Sequence, residues 1–278
     1  MSARAQGAVE IAGGDAGRLP VASAADEHFD AAALATAGGA AAADGAQAVL
    51  VARHGHVVLE TYAHGGRADL PVDGGELSAT LLALAAGLAR AGNRESGSLP
   101  TAWDAAALQA DAETAGGGDY ARFLSQQLWQ PLNAAPAQLH RAADGTLRAD
   151  CCVSARAVDW LRVGLLLVEQ GRFEGEQIVP AAWVAHLQRP LPGDATRGLG
   201  LRLAPQGYAA RNVLLMRGPG RTRLWLVPAL QLVVLRVGPQ GQGEWSEPGA
   251  LDPFIRAVAD RDTSGADAGL LDRLVPGH

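Results

Sequence analysis

The chain has 278 residues, of which 48% are apolar and 19% charged, with a formal net charge of −6. That suits one large or two small folded domains rather than a disordered chain, and it gives no reason to expect nucleic acid, whose binding needs a basic face. No uninterrupted apolar stretch approaches the roughly 20 residues of a membrane helix. All 23 basic residues are arginine, whose guanidinium stays protonated near neutrality, so no chemistry can use a lysine amine as base, nucleophile or Schiff-base former.

Residues 1–45, rich in Ala and Gly, predict a tail or loosely packed segment with one short helix over 28–37. The opening MSARAQGAVEIAGGDAGRLP has an arginine without an apolar run behind it, so no secretory signal is expected and a cytoplasmic placement is the default. AVLVARHGHVVLETYAHG predicts a hairpin, with strands over 48–52 and 56–62 and a turn through 53–55. LSATLLALAAGLARA, residues 77–91, predicts a helix apolar nearly all round and hence deeply buried, with Glu76 at the positive end of its dipole.

Residues 93–99 read as a polar loop. Helical stretches follow over 101–115, over DYARFLSQQLWQPL and over 154–170, with a short one over 180–187. On the third of these, Asp159 and Arg162 have the i, i+3 spacing of a surface pair. Strands are predicted over 198–203, 223–227 and 230–237, then a last helix over 252–259 and a tail over 261–278. Strands from both ends of the chain would have to meet. This implies an α+β domain over 46–260, with its sheet from 46–76 and 198–260 and a helical part over 77–197.

Cys151 and Cys152 are adjacent. Neighbouring cysteines rarely bridge, so two small buried residues are expected, with a redox pair as the alternative. The seven histidines are scattered, and no metal site or cofactor is expected. His54 and His56 flank the hairpin turn, and His64 follows it; all three are expected at the surface. Most of the six tryptophans are expected in the core, with Trp103 set apart because it falls where a cleft would lie.

Several segments, in order, resemble the serine β-lactamase and penicillin-binding-protein family, especially its esterase and 6-aminohexanoate-dimer-hydrolase-like branch. AVLVARHGHVVLETYAHG resembles the family's opening hairpin, LSATLLALAAGLARAG its central buried helix and FLSQQLWQPLNA its "erlwqPLG" segment. CCVSARAVDWLRVGLLLVEQGRFEGEQIVPAAWV resembles "gGl.aTarDlaRfGlLllndGrwnGkqivp..Wv", and RTRLWLVPALQLVVLRVG the late hairpin beside the active site. The resemblance covers roughly residues 46–260. It implies a β-lactamase/transpeptidase-like fold, with an antiparallel sheet from N- and C-terminal strands and, from the short middle of this chain, a shortened helical lobe.

The family's reactive positions match residues that cannot react. Its S-x-x-K serine and lysine fall on Gly74 and Leu77, or on Asp73 and Glu76 in the neighbouring register. Its Y-x-N motif falls on Thr101, Ala102 and Trp103. Its K-T-G or H-x-G motif falls on Arg217-Gly218-Pro219-Gly220, where Arg217 can hold a carboxylate but cannot cycle a proton. Arg217, Arg221 and Arg223 would be either a basic cleft floor or ordinary surface arginines.

Ser78, beside Thr80, is the nearest substitute nucleophile; it needs an adjacent base, and otherwise bonds within its own helix. The resemblance with these departures implies a catalytically degenerate protein. Its vestigial cleft would be formed by Gly74, Gly75, Leu77, Ser78, Thr101, Trp103, Arg217, Gly218 and Gly220. The expected role is binding a small-molecule ligand, or serving as a scaffold for a protein partner such as an active relative. The alternatives are a hydrolase or acyl-transfer enzyme using Ser78 or a cysteine, and a purely structural interaction protein.

Overall fold

The computed structural model describes residues 7–92, 98–142, 144–204, 206–239, 241 and 244–260. In chain order its first half gives β1 (Ala8–Ile11), α1 (Ala31–Ala43), β2 (Ala48–Arg53), β3 (His56–Tyr62), β4 (Pro71–Asp73), α2 (Glu76–Gly92), α3 (Ala105–Ala115) and α4 (Tyr120–Leu124). Then come β5 (Ala137–His140), β6 (Val153–Arg156), α5 (Ala157–Val168), β7 (Arg172–Phe173), β8 (Glu176–Gln177) and α6 (Ala181–Leu187). The last part supplies β9 (Arg202–Ala204), β10 (Val213–Arg217), β11 (Arg223–Val227), β12 (Leu232–Val237) and α7 (Glu247–Ala257).

The larger sheet has the order β3-β2-β12-β11-β10-β9 and is antiparallel throughout. Its centre is the long-range pairing of β2 with β12, with Val51 opposite Val234. Every residue of β2 is buried, because both faces of the sheet are covered. Side chains alternate along a strand. Leu50 and Ala52 therefore join one core with Leu81 and Leu84 of α2 and Leu161 and Leu165 of α5, while Val49 and Val51 join another with Leu34 of α1 and Phe254 of α7. Each fully buried aliphatic side chain stabilises by roughly 1.5–3 kcal/mol. The β2–β3 turn has His54 and Gly55 both at positive φ, +47° and +84°, as a tight hairpin requires.

A second antiparallel sheet has the order β1-β5-β6-β4. It corrects two expectations. The part over 77–197 is not purely helical, since it contributes β5 and β6. Residues 154–156, expected to start a helix, instead finish strand β6, because pairing of Ser154 with both Asp73 and Gln138 outweighs the helix propensity of Ala and Arg.

The N-terminal segment is not a loose tail over its described residues. β1 pairs with β5, and α1 lies from Ala31 to Ala43, capped by Asp30, rather than over 28–37. Leu34 and Ala37 of α1 bury against the sheet with α7, which itself starts earlier than expected, at Glu247. Asp104 caps α3 and delays its start to Ala105, leaving Thr101 and Trp103 in a loop. The polar loop expected over 93–99 and the tail over 261–278 lie largely or wholly outside the described residues.

Asp159 and Arg162 are a pair, but not on the surface. Both are buried, 3.5 Å apart. Asp159 is held by Arg156 at 2.8 Å, and Arg162 donates to the carbonyls of Leu132 and Gly17. Asp159 also accepts the Ala135 amide, so the pair is closed over partly by residues far along the chain, though Arg162 Nε donates no hydrogen bond among the described residues. Trp129, Trp160, Trp183 and Trp225 are core residues, whereas Trp103 and Trp245 are half-buried.

Candidate functional site

The segment entering α2 is built by β4, whose Pro71–Asp73 pairs with β6, and by a tight turn at Gly74 and Gly75. Gly74 donates to the Val153 carbonyl at 2.8 Å, and the Asp73 carboxylate accepts the Gly75 amide at 3.0 Å. Gly75 sits at φ +53°, which favours glycine. A Cβ at Gly74 would lie 2.5 Å and 2.7 Å from ring carbons of Trp160. That indole is fixed: its N–H donates to the Val72 carbonyl at 3.1 Å, and its ring meets Trp129 edge-on. A Cβ at Gly75 would lie 3.0 Å from the Arg217 carbonyl oxygen and 3.2 Å from Pro219 Cδ. The start of α2 therefore has Trp160 filling the space beside Gly74 and the end of β10 pressed against Gly75.

Leu77 and Ser78 are both fully buried. Ser78 Oγ accepts the Val153 amide at 3.1 Å, rather than bonding within its own helix, and no His, Asp or Glu side chain among the described residues bonds to it. Thr80 donates to the Gly200 carbonyl.

The expected alternatives for the late arginines are both replaced by ion pairs. Arg217 grips the Glu247 carboxylate through two bonds of 2.7 Å and 2.8 Å, and Arg223 reaches the same carboxylate at 2.7 Å. Burial pushes the Glu247 carboxyl up, but these hydrogen bonds outweigh it and hold it below the ordinary range. Arg221 is buried and bonds Asp44 at 2.9 Å. Arg221, Arg223 and Arg236 also surround the Trp245 ring, at 4.9–5.7 Å from its centroid. These guanidiniums hold the protein's own carboxylates and a ring, not a cleft floor.

An open cleft lies immediately beside Gly74, at the first residues of α2. A cavity of about 290 Å³ is lined by Gly75, Glu76, Trp103, Cys151, Arg197 and Arg202, among others. Thus Gly75 and Trp103 of the expected cleft come together, while Gly74, Leu77, Ser78, Thr101, Arg217, Gly218 and Gly220 do not line it. Glu76 is not free there: Arg202 holds both its oxygens, at 2.6 Å and 2.9 Å. Burial raises its carboxyl, and the Arg202 bonds more than reverse that. Arg197 is exposed, and its guanidinium bonds no other described side chain. The cleft thus offers the Arg197 cation and the half-buried Trp103 side chain to a ligand. A second cavity, about 400 Å³, is lined by Leu70, Val72, Pro219 and Val237 together with the polar Gln47, Arg67, Asp73 and Thr222.

The cysteine expectation is overturned. Cys151 and Cys152 are joined by a disulfide, both half-buried, and Cys152 takes φ +73°.

Sequence reasoning also missed a serine–histidine contact. His140 Nε2 lies 3.1 Å from Ser154 Oγ on the second sheet, but neither residue lines the cleft. His54 and His56, expected as a solvated turn, are half-exposed and place their Nδ1 atoms 2.7 Å and 2.8 Å from the two oxygens of buried Glu27. His64 is at the surface, with its Nε2 2.8 Å from the Ala42 carbonyl. Among the described residues no group of three or more His, Cys, Asp or Glu side chains is placed to hold a metal ion, and no helix is long and apolar enough to cross a membrane.

The architecture is that of the serine β-lactamases and transpeptidases: an α+β fold with antiparallel sheets and, among the described residues, seven α-helices. Solved structures similar to it include a protein assigned as a 6-aminohexanoate-dimer hydrolase from Bacillus anthracis, 12% identical, with 90% of this chain and 89% of that one covered and a TM-score of 0.66. A β-lactamase from Mycobacterium bovis is 16% identical over 77% of this chain and 95% of its own, with a TM-score of 0.60. EstCE1, a hydrolase with promiscuous acyltransferase activity, is 13% identical over 82% and 98%, with a TM-score of 0.61. No family model matches the sequence, and no curated protein sequence matches it.

Proposed function

We propose that this chain is a catalytically degenerate relative of the β-lactamase-like serine hydrolases, cytoplasmic, that binds a small molecule in the cleft beside Trp103 or serves as a partner subunit to an active relative. One observation carries the reading: Trp160 fills the space where a side chain at position 74 would stand. Leu77, four residues into the old motif, is sealed in the core and cannot take a proton. A fold does not bring its chemistry with it; the site does. The cleft retains Arg197 for an anionic group and Trp103 for an apolar or planar one, which suits recognition of a small carboxylate with a hydrophobic body.

The test is a labelling screen of the purified chain with fluorophosphonate and reactive-ester probes, alongside Ser78→Ala and Ser154→Ala. The expected result is no serine-dependent labelling. Thermal-shift screening of aryl carboxylates should then give a rise in Tm that Arg197→Ala or Trp103→Ala removes.

The alternative, a hydrolase or acyl-transfer enzyme with a non-standard nucleophile, gains nothing from buried Ser78. It gains one observation, the Ser154–His140 contact, since a nucleophile needs a base within hydrogen-bond reach. Labelling lost in Ser154→Ala and in His140→Ala would establish that reading instead.

A further inference from the structure

We infer that Cys151–Cys152 is a redox-modifiable site in the wall of the cleft, opened by a dithiol, and that its opening releases Val153 from Ser78. The inference does not depend on the non-hydrolytic reading, since it concerns the cleft wall in either case.

Three observations bear on it. The bond joins neighbouring residues that are both half-buried, and Cys151 lines the cavity that opens beside Trp103 and Arg197, so a small reductant has a route to the sulfur. Arg197, exposed and without a side-chain partner among the described residues, lines the same cavity and favours an approaching thiolate, whereas Arg202 there is paired with Glu76. Cys152 stands at φ +73°, the highest among the described non-glycine residues at positive φ and an uncommon conformation for an L-residue other than glycine.

The surroundings here are the small ring closed by the sulfurs and the bonds just beyond it. The Cys152 carbonyl accepts the His140 amide at 2.9 Å, the Val153 amide donates to Ser78 Oγ at 3.1 Å, and the Val153 carbonyl accepts the Gly74 amide at 2.8 Å. The cysteine pair is therefore tied directly to strand β5 and to the entry of α2.

In the exchange, one thiolate of the dithiol attacks Cys151 Sγ. The S–S bond breaks, and its electron pair leaves on Cys152 Sγ, which takes up a proton. The second thiol of the reductant, as thiolate, then attacks its own partner sulfur in the mixed disulfide and expels Cys151 Sγ, which is protonated in turn. The dithiol is oxidised to a cyclic disulfide and both cysteines are reduced to thiols. With the ring gone, Cys152 returns to negative φ, the 152–153 peptide turns, and the Val153 amide leaves Ser78. In a reducing compartment such a bond would be transient, as redox-sensing disulfides are.

The experiment uses the full chain purified without reductant. Thiol titration in denaturant should find no free thiol before, and two per chain after, treatment with dithiothreitol. Amide exchange followed by NMR should quicken at Val153 by at least about tenfold on reduction, while a sheet amide such as Leu50 stays protected. Cys151→Ser/Cys152→Gly holds the left-handed turn without sulfur, so its Val153 amide should stay slow with and without the dithiol. Cys151→Ser/Cys152→Ser should exchange fast in both. Two free thiols without reductant under air, an unchanged Val153 rate on reduction, or a rise shared by Leu50 would each overturn the inference.

Discussion

The ring of Trp160 lies against the α-carbon of Gly74 so closely that a β-carbon there would sit 2.5 Å from it. Gly74 is where one register of the family resemblance places the serine, and the space for a side chain there is taken by an indole, while Gly75 and Glu76 beside it face an open cavity. Restoring the motif should therefore fail for steric reasons before chemical ones. Gly74→Ser is expected to destabilise by about 1–3 kcal/mol, as overpacking does. Adding Leu77→Lys buries an ammonium without a partner and costs several kcal/mol more. Urea unfolding checks both values, and fluorophosphonate labelling should stay at background in the double variant. Efficient labelling of a well-folded Gly74→Ser/Leu77→Lys protein would show that the indole yields readily.

Glu247 joins the first turn of α7 to β10 and β11 through Arg217 and Arg223. Its folded pKa is below the ordinary 4.5. The stability it contributes is therefore present above 4.5 and is lost as pH falls through the folded value. Glu247→Gln should lower stability by about 1–3 kcal/mol at pH 7, since two guanidiniums lose their charged acceptor. Its Tm should converge with that of the wild type as the pH is lowered towards 3. A constant Tm gap from pH 7 to pH 3 would remove the ion pair as the cause.

Legibility in the sequence followed the range of the forces involved. The β2–β3 hairpin and α2 are written in local pattern: alternation around a turn with Gly55, and an unbroken apolar run behind Glu76. Trp103, set apart through the Y-x-N match of the family resemblance, lines a cavity at the start of α2. The strand of Val153–Arg156 was not, since its pairing with Pro71–Asp73 is a long-range fact and its own residues favour a helix. Nothing in the spacing of Asp159 and Arg162 shows that the carbonyls of Leu132 and Gly17 close over them. The arginines 217, 221 and 223 looked available because their partners, Glu247 and Asp44, lie far along the chain. The absence of lysine could be read from residue identity alone; the packing of Trp160 against Gly74 could not.

Asp159 is sealed among Arg156, Arg162 and the Ala135 amide. Removing one partner of a buried charge set is costly because the remaining charges keep their desolvation. Asp159→Asn should destabilise by about 3–5 kcal/mol, whereas Arg67→Ala, whose pair with Asp69 is exposed and screened by solvent, should leave stability essentially unchanged. Chemical denaturation of the two variants tests the contrast. A loss below 1 kcal/mol for Asp159→Asn would mean that water reaches the site.

Glu169 stands at the C-terminal end of α5, the end where a negative charge opposes the helix dipole. Burial raises its carboxyl pKa above the ordinary 4.5, and the nearby Arg172, His56 and His54 offset only part of that. The folded state therefore holds this proton more tightly than the unfolded chain does. The favourable contribution is complete below 4.5 and is lost as pH rises through the folded value. Glu169→Gln removes a charge that the fold disfavours, so it should stabilise the protein at pH 7–8 by roughly 0.3–1 kcal/mol, the scale of a carboxylate at a helix C-terminus. The gain should vanish below about pH 4, where the wild-type carboxyl is already protonated. Tm measured across that range decides it: a destabilised Glu169→Gln at pH 8 would mean that the carboxylate's attraction to His54, His56 and Arg172 outweighs its burial.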